Sequence, residues 1–111
     1  MHFCFTARYT SQAVNAMLDD PTTNRYEAVK KLFEAAGAKL VAMYGYPADG
    51  PGVMVIFDVA DPEMAPAIAG VAMAGGAIQS PTLTRLLLPD ELRKVQQNAR
   101  NIRSAYKAPG K

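Results

Sequence analysis

Five consecutive residues, Val53-Met54-Val55-Ile56-Phe57, carry no polar side chain on either side of a strand's pleat, and they constrain this chain more than any other segment. Side chains alternate between the two faces of a strand, so Val53, Val55 and Phe57 share one face and Met54 and Ile56 the other. A strand apolar on both faces expects cover on both. A fold that shields one side only leaves the second set in water, at about 25 cal/mol for each Å² of apolar surface left exposed.

The flanking segments read as elements able to cover one side. Phe3, Phe5, Ala7 and Tyr9 alternate with His2, Cys4, Thr6 and Arg8, the pattern of a strand with a half-polar face. Thr10 or Ser11 caps a short helix carrying Ala13, Val14, Met17 and Leu18, which Asp19-Asp20-Pro21 stops. From Asn24 to Ala36, Tyr26, Val29, Leu32, Phe33 and Ala36 form one apolar stripe, and Gly37 supplies the left-handed residue that ends it. Lys39 to Tyr46 reads as a strand, and the turn residues from Pro47 to Gly52 fold it onto Val53–Phe57 as a hairpin.

Asp61-Pro62 opens a helix reaching about Ala74, with Pro66 delaying its regular part to its own position. Ala65, Ala67, Ala69, Gly70, Ala72 and Ala74 leave only Ile68, Val71 and Met73 to fill space, so this helix lies close to whatever it meets. Ala77 to Leu88 is the last strand. Pro81 has no N–H for a ladder, which assigns that strand to an edge or a bulge. After Pro89, with Asp90 and Glu91 at the positive end of a helix, Leu92, Val95, Ala99, Ile102 and Tyr106 recur at steps of three and four. A helix of about 17 residues with so thin a seam is marginal alone and expects a groove in its own chain or a neighbour's.

The order strand, helix, strand, strand, helix, strand is that of a ferredoxin-like α+β sandwich, βαββαβ, with a four-stranded antiparallel sheet. Residues 1–88 form this domain, 89–106 a C-terminal helix and 107–111 a frayed tail. Both helices cover one sheet face, and a second copy is the simplest cover for the other. Met54 and Ile56, with Leu92, Val95 and Ile102 of the tail, are the expected oligomer contacts. Two sheets face to face make a homo-dimer of the dimeric α+β barrel type, and a closed homo-trimer is the competing arrangement. In the monomeric alternative the C-terminal helix folds back over the open face.

The chain resembles the GYD-domain family. Similar features are Tyr9-Thr10 with Gln12, Pro21 before Arg25, Ala28, Lys31-Leu32, Glu34, Gly37 and Lys39-Leu40. Val53–Phe57 before an acidic turn and Thr82-Leu83 before Asp90-Glu91 also match, so that the resemblance spans residues 1 to about 96. Where the family has its Gly-Tyr-Asp signature entering the third strand, this chain has Asp49-Gly50-Pro51-Gly52, without the Tyr and Asp. The resemblance implies the same ferredoxin-like sandwich rather than a particular reaction.

His2, Cys4 and Arg8 share the half-polar strand face, and Tyr44 and Tyr46 share a face of the next strand. Together they are the candidate ligand-binding residues, since a histidine, a thiol, a guanidinium and phenols lining a cavity between sheets suit an anionic or polar small molecule. Each also has a plainer explanation: a terminal histidine with one hydrogen bond, a small core thiol, tyrosines with apolar bodies and wet tips at an interface. Cys4 has no nearby base in sequence to make it a nucleophile, and no paired carboxylates stand at a spacing for acid and base work.

One cysteine excludes an internal disulfide and one histidine a zinc module, so no metal is expected. No Walker loop, G-x-G-x-x-G, nucleophile elbow or H-E-x-x-H occurs, and no cofactor is expected. Phe57 is the sole aromatic residue of its strand and no aromatic RNA-binding motif precedes it, which argues against nucleic acid. The absence of a membrane-length apolar run or secretory leader leads to the expectation of a cytoplasmic protein that does not engage membranes. The net charge of +2 conceals an asymmetry, because residues 1–92 hold six basic and ten acidic side chains and residues 93–111 six basic and none acidic. The sequence therefore points to a homo-oligomeric binding or accessory protein with a small-molecule pocket between sheets. A small monooxygenase or isomerase of the same fold, and an interaction module using the C-terminal helix, are the alternatives.

Overall fold

The computed structural model describes residues 1–111. Its elements are β1 (His2–Tyr9), α1 (Ser11–Asp19), α2 (Arg25–Ala35), β2 (Ala38–Gly45), β3 (Gly52–Val59), α3 (Met64–Ala74), β4 (Ile78–Leu86) and α4 (Pro89–Ile102), followed by one 3₁₀ turn, Arg103–Ala105. The four strands form one antiparallel sheet in the order β2-β3-β1-β4, which is the ferredoxin-like arrangement. No helix is long and apolar enough to cross a membrane.

Alternation in the two central strands fixes what is buried. Phe3, Phe5 and Ala7 of β1 and Val53, Val55, Phe57 and Val59 of β3 face α2 and α3 and are nearly sealed from water. Phe57, 1% exposed, lies at the centre, stacked on Phe3 with ring centroids 5.6 Å apart and met edge-on by Phe33 at 4.8 Å. Each such aromatic contact adds about 0.5–1.5 kcal/mol to what burial alone provides.

Caps set the helix limits. The Thr10 hydroxyl accepts the Ala13 N–H at 3.2 Å to start α1, and the Asn24 amide oxygen accepts that of Glu27 at 3.1 Å to start α2. Gly37, with φ of +71°, ends α2 in the left-handed conformation. The start of α3 differs from the expectation. Asp61 accepts the Glu63 N–H at 3.0 Å in a turn, and the helix itself begins at Met64, neither at Pro62 nor at Pro66. Pro66 sits in the first turn, where its missing N–H has no partner to lose.

β4 is an edge strand and also bulges. One residue of β1, Ala7, opposes two of β4, Ser80 and Pro81, between Thr6↔Thr82 and Arg8↔Gln79, with Ser80 at a φ of +53°. A second bulge, at Val41 of β2, shifts that strand so that Met43 packs toward the core and Tyr44 turns to the opposite face.

The C-terminal helix does not fold back over the sheet. Apart from Glu91 every residue of α4 is exposed, and α4 projects from the end of β4. The molecule measures 59 × 34 × 22 Å with a radius of gyration of 17.9 Å, against about 13 Å for a compact domain of 100 residues. The base of this arm is held by Arg85 and Glu91, whose ion pair spans 2.7 Å.

Candidate functional site

The sheet face turned away from α2 and α3 is built of rows that cross the strands. One row runs Ala42, Ile56, Cys4, Thr84, and the next Tyr44, Met54, Thr6, Thr82. Flanking them are Lys39, Asp58, His2 and Leu86 at one end, and Arg8 with Gln79 at the other. Apolar and small side chains thus occupy the middle, and charged ones the rim. Met54 and Ile56 are half-buried by their neighbours, and Tyr44 is 57% exposed.

At the Arg8 end, the β2–β3 loop closes a polar recess of about 470 Å³ lined by Thr6, Arg8, Tyr46, Asp49, Ser80 and Thr82. The Arg8 guanidinium donates to the Asp49 carbonyl at 3.2 Å and forms no ion pair, leaving further N–H groups free for an acceptor. The loop is held in place by hydrogen bonds from the Tyr9 N–H to the Pro51 carbonyl (3.0 Å) and from the Tyr46 N–H to the Gly52 carbonyl (2.9 Å). Asp49 and Gly50 both take positive φ, at 59° and 113°. The segment that replaces the Gly-Tyr-Asp signature therefore forms one wall of this recess.

Of the five residues singled out in the sequence, the fold brings Arg8 and Tyr46 together. Tyr44 lies on the same face beside Met54, and Cys4 sits in mid-sheet between Ile56 and Thr84. His2 is six residues from Arg8 along β1, roughly 20 Å at the rise of a strand, so the imidazole, thiol and guanidinium do not meet on one ligand. His2 neighbours Asp58 instead, with Nδ1 buried, unpaired and 3.9 Å from the carboxylate. The Met1 ammonium donates to Asp58 at 2.9 Å, and this bond holds the Asp58 carboxyl below its usual range. No three His, Cys, Asp or Glu side chains come together. Leu92, Val95 and Ile102 lie exposed on α4, at 45%, 48% and 69%.

A second site escaped the sequence reading. Between α2, α3 and the buried face of the sheet lies a cavity of about 130 Å³, walled by Phe5, Val29, Phe33, Val55, Ile68 and Ala72 among others, with Arg25 as its one charged neighbour. The run of small residues in α3 was the available signal, since alanine and glycine let a helix approach yet leave nothing to fill the gap beneath it.

The fold and its uncovered face define the class: a ferredoxin-like α+β domain whose sheet is shielded on one side only. Within that class, the GYD domain family model matches residues 3–95, and the chain belongs to this family. No curated protein matches it. Among solved structures it is similar to 5-chloro-2-hydroxyhydroquinone dehydrochlorinase (TftG) from Burkholderia phenoliruptrix AC1100, in complex with 2,5-dihydroxybenzoquinone. That likeness has a TM-score of 0.56 and 11% identity, covering 81% of this chain and 97% of the other. Protein Atu4242 from Agrobacterium tumefaciens aligns with a TM-score of 0.45 and 14% identity over 79% of this chain and 91% of its own.

Proposed function

We propose that this protein is a homo-oligomeric binding protein in which two or more copies bury their open sheet faces together and enclose small polar ligands at the Arg8–Tyr46 recess. One observation carries the reading: an apolar middle of Ile56, Met54, Cys4, Ala42 and Tyr44 within a charged rim, with nothing of the same chain lying over it. That distribution is the anatomy of a protein interface. A second copy of this chain is the occupant that fits, because the charges at the two ends of the face, Lys39, Asp58 and Arg8, include both signs and can pair across a two-fold axis. In the closed assembly Arg8 supplies the anchor for an anionic group and the Tyr46 hydroxyl a neutral donor or acceptor.

The thiol of Cys4, in the centre of this face, reports on the contact. Replacing Ile56 by Asp is expected to raise the rate at which a water-soluble maleimide labels Cys4 at least about tenfold, with an unchanged far-UV circular dichroism spectrum. Equal labelling rates in the two folded proteins overturn the reading.

A further inference from the structure

The cavity between α2, α3 and the sheet is separate from the open sheet face, and its properties select a different ligand. Its lining is apolar except for Arg25. Its apolar wall offers water few of the two to four polar partners it needs, so a ring laid against that wall displaces weakly held solvent. Arg25, the first residue of α2, is half-buried and also lines a neighbouring cavity of about 150 Å³, which runs beneath α1 past Ala13, Ala16 and Met17. The two cavities share Tyr9, Arg25 and Ala77. Although wedged between two apolar spaces, Arg25 makes no ion pair and no side-chain hydrogen bond. A guanidinium fork in such surroundings matches a carboxylate with two parallel N–H bonds.

We propose that each protomer binds a small aromatic or alicyclic carboxylate in this cavity, the ring between Val29, Ile68 and Ala72 and the carboxylate on Arg25. Ring and charge are recognised by different groups, so each can be removed separately. Burial of the ring supplies the apolar part of the affinity, and the charge-assisted bonds to Arg25 discriminate against neutral analogues. The seat lies within one chain and does not depend on the assembly of sheets proposed above.

The test is a titration of the full-length protein with benzoate, benzyl alcohol and acetate, followed by amide and methyl NMR shifts. Benzoate is expected to saturate with shifts at Val29, Ile68 and Ala72, benzyl alcohol to bind about tenfold more weakly or worse, and acetate to leave these methyls unmoved. Arg25→Gln should weaken benzoate by about tenfold and leave benzyl alcohol as it was. Ala72→Leu, which fills the space, should abolish binding of both. Benzoate shifts centred on Arg8 and Tyr46, no saturable shift at any soluble concentration, or undiminished benzoate affinity in Arg25→Gln each overturn the assignment. Should Ala72→Leu fail to fold, the comparison of Arg25→Gln with the parent decides alone. The Cys4 labelling experiment reads a different face, so failure of one proposal is distinguishable from failure of the other.

Discussion

Gly52 carries more constraint than its size implies. A Cβ built there would lie 2.6 Å from the Ala7 carbonyl oxygen and 2.8 Å from that of Tyr46, and both obstacles are backbone. Gly52→Ala is therefore expected to cost about 2 kcal/mol or more and to loosen the loop that walls the Arg8 recess, measured by urea denaturation. At the centre of the core, Phe57→Ala removes the ring that joins Phe3 and Phe33 and is expected to cost about 3–5 kcal/mol in the same assay. The importance of Phe57 was legible from alternation alone, because a period of two assigns it to the face of Val53 and Val55. Arg25 was not legible. In sequence it is the first residue of an amphipathic helix, and only the missing volume beneath α3 turns it into the one charge beside two apolar spaces.

Among the elements, the strands and helices followed from periodicity and punctuation, and Pro81 implied an edge or a bulge for β4, which has both. The bulge at Val41 left no trace, since Leu40, Val41, Met43 and Tyr44 read equally well in unbroken register. It matters for the site, because it determines that Tyr44 and not Met43 joins the open face. The start of α4 depends on Glu91, which accepts the Leu88 N–H at 3.0 Å and pairs with Arg85. These two contacts hold the Glu91 carboxyl below its ordinary value of 4.5, the backbone bond being the larger cause. A carboxylate with a lowered value in the folded state stabilises it fully above the ordinary value, and this contribution is lost as pH falls through the lowered one. Helical ¹³Cα shifts of residues 90–95 are thus expected to decay on going from about pH 6 to about pH 3, and Glu91→Gln to remove that dependence. An identical titration in both proteins would contradict it. The rest of α4 presents Leu92, Val95 and Ile102 to solvent, and in the proposed oligomer this basic arm meets the mildly acidic body of another copy. Replacing Leu92 and Val95 together by Glu is expected to weaken self-association measured by sedimentation, leaving the melting temperature of the body unchanged.

For the molecule as a whole, the sequence made visible that one sheet face would be short of cover, but not how the C-terminal helix would lie. A seam of five residues is compatible with docking at home or abroad, and geometry decides: the helix leaves the end of β4 and extends the particle to 59 Å. Of the candidate ligand residues, His2, Cys4 and Arg8 share one face of β1, yet a strand spaces them by its rise, and so His2 and Arg8 belong to opposite ends of it. What unites the account is the apolar middle of the open face around Met54 and Ile56. Static light scattering of the unmodified protein at two concentrations tests this most directly. A mass twice or three times 11.9 kDa is predicted at both. A stable particle of 11.9 kDa would contradict it, because that face would then stand bare in water without a second copy.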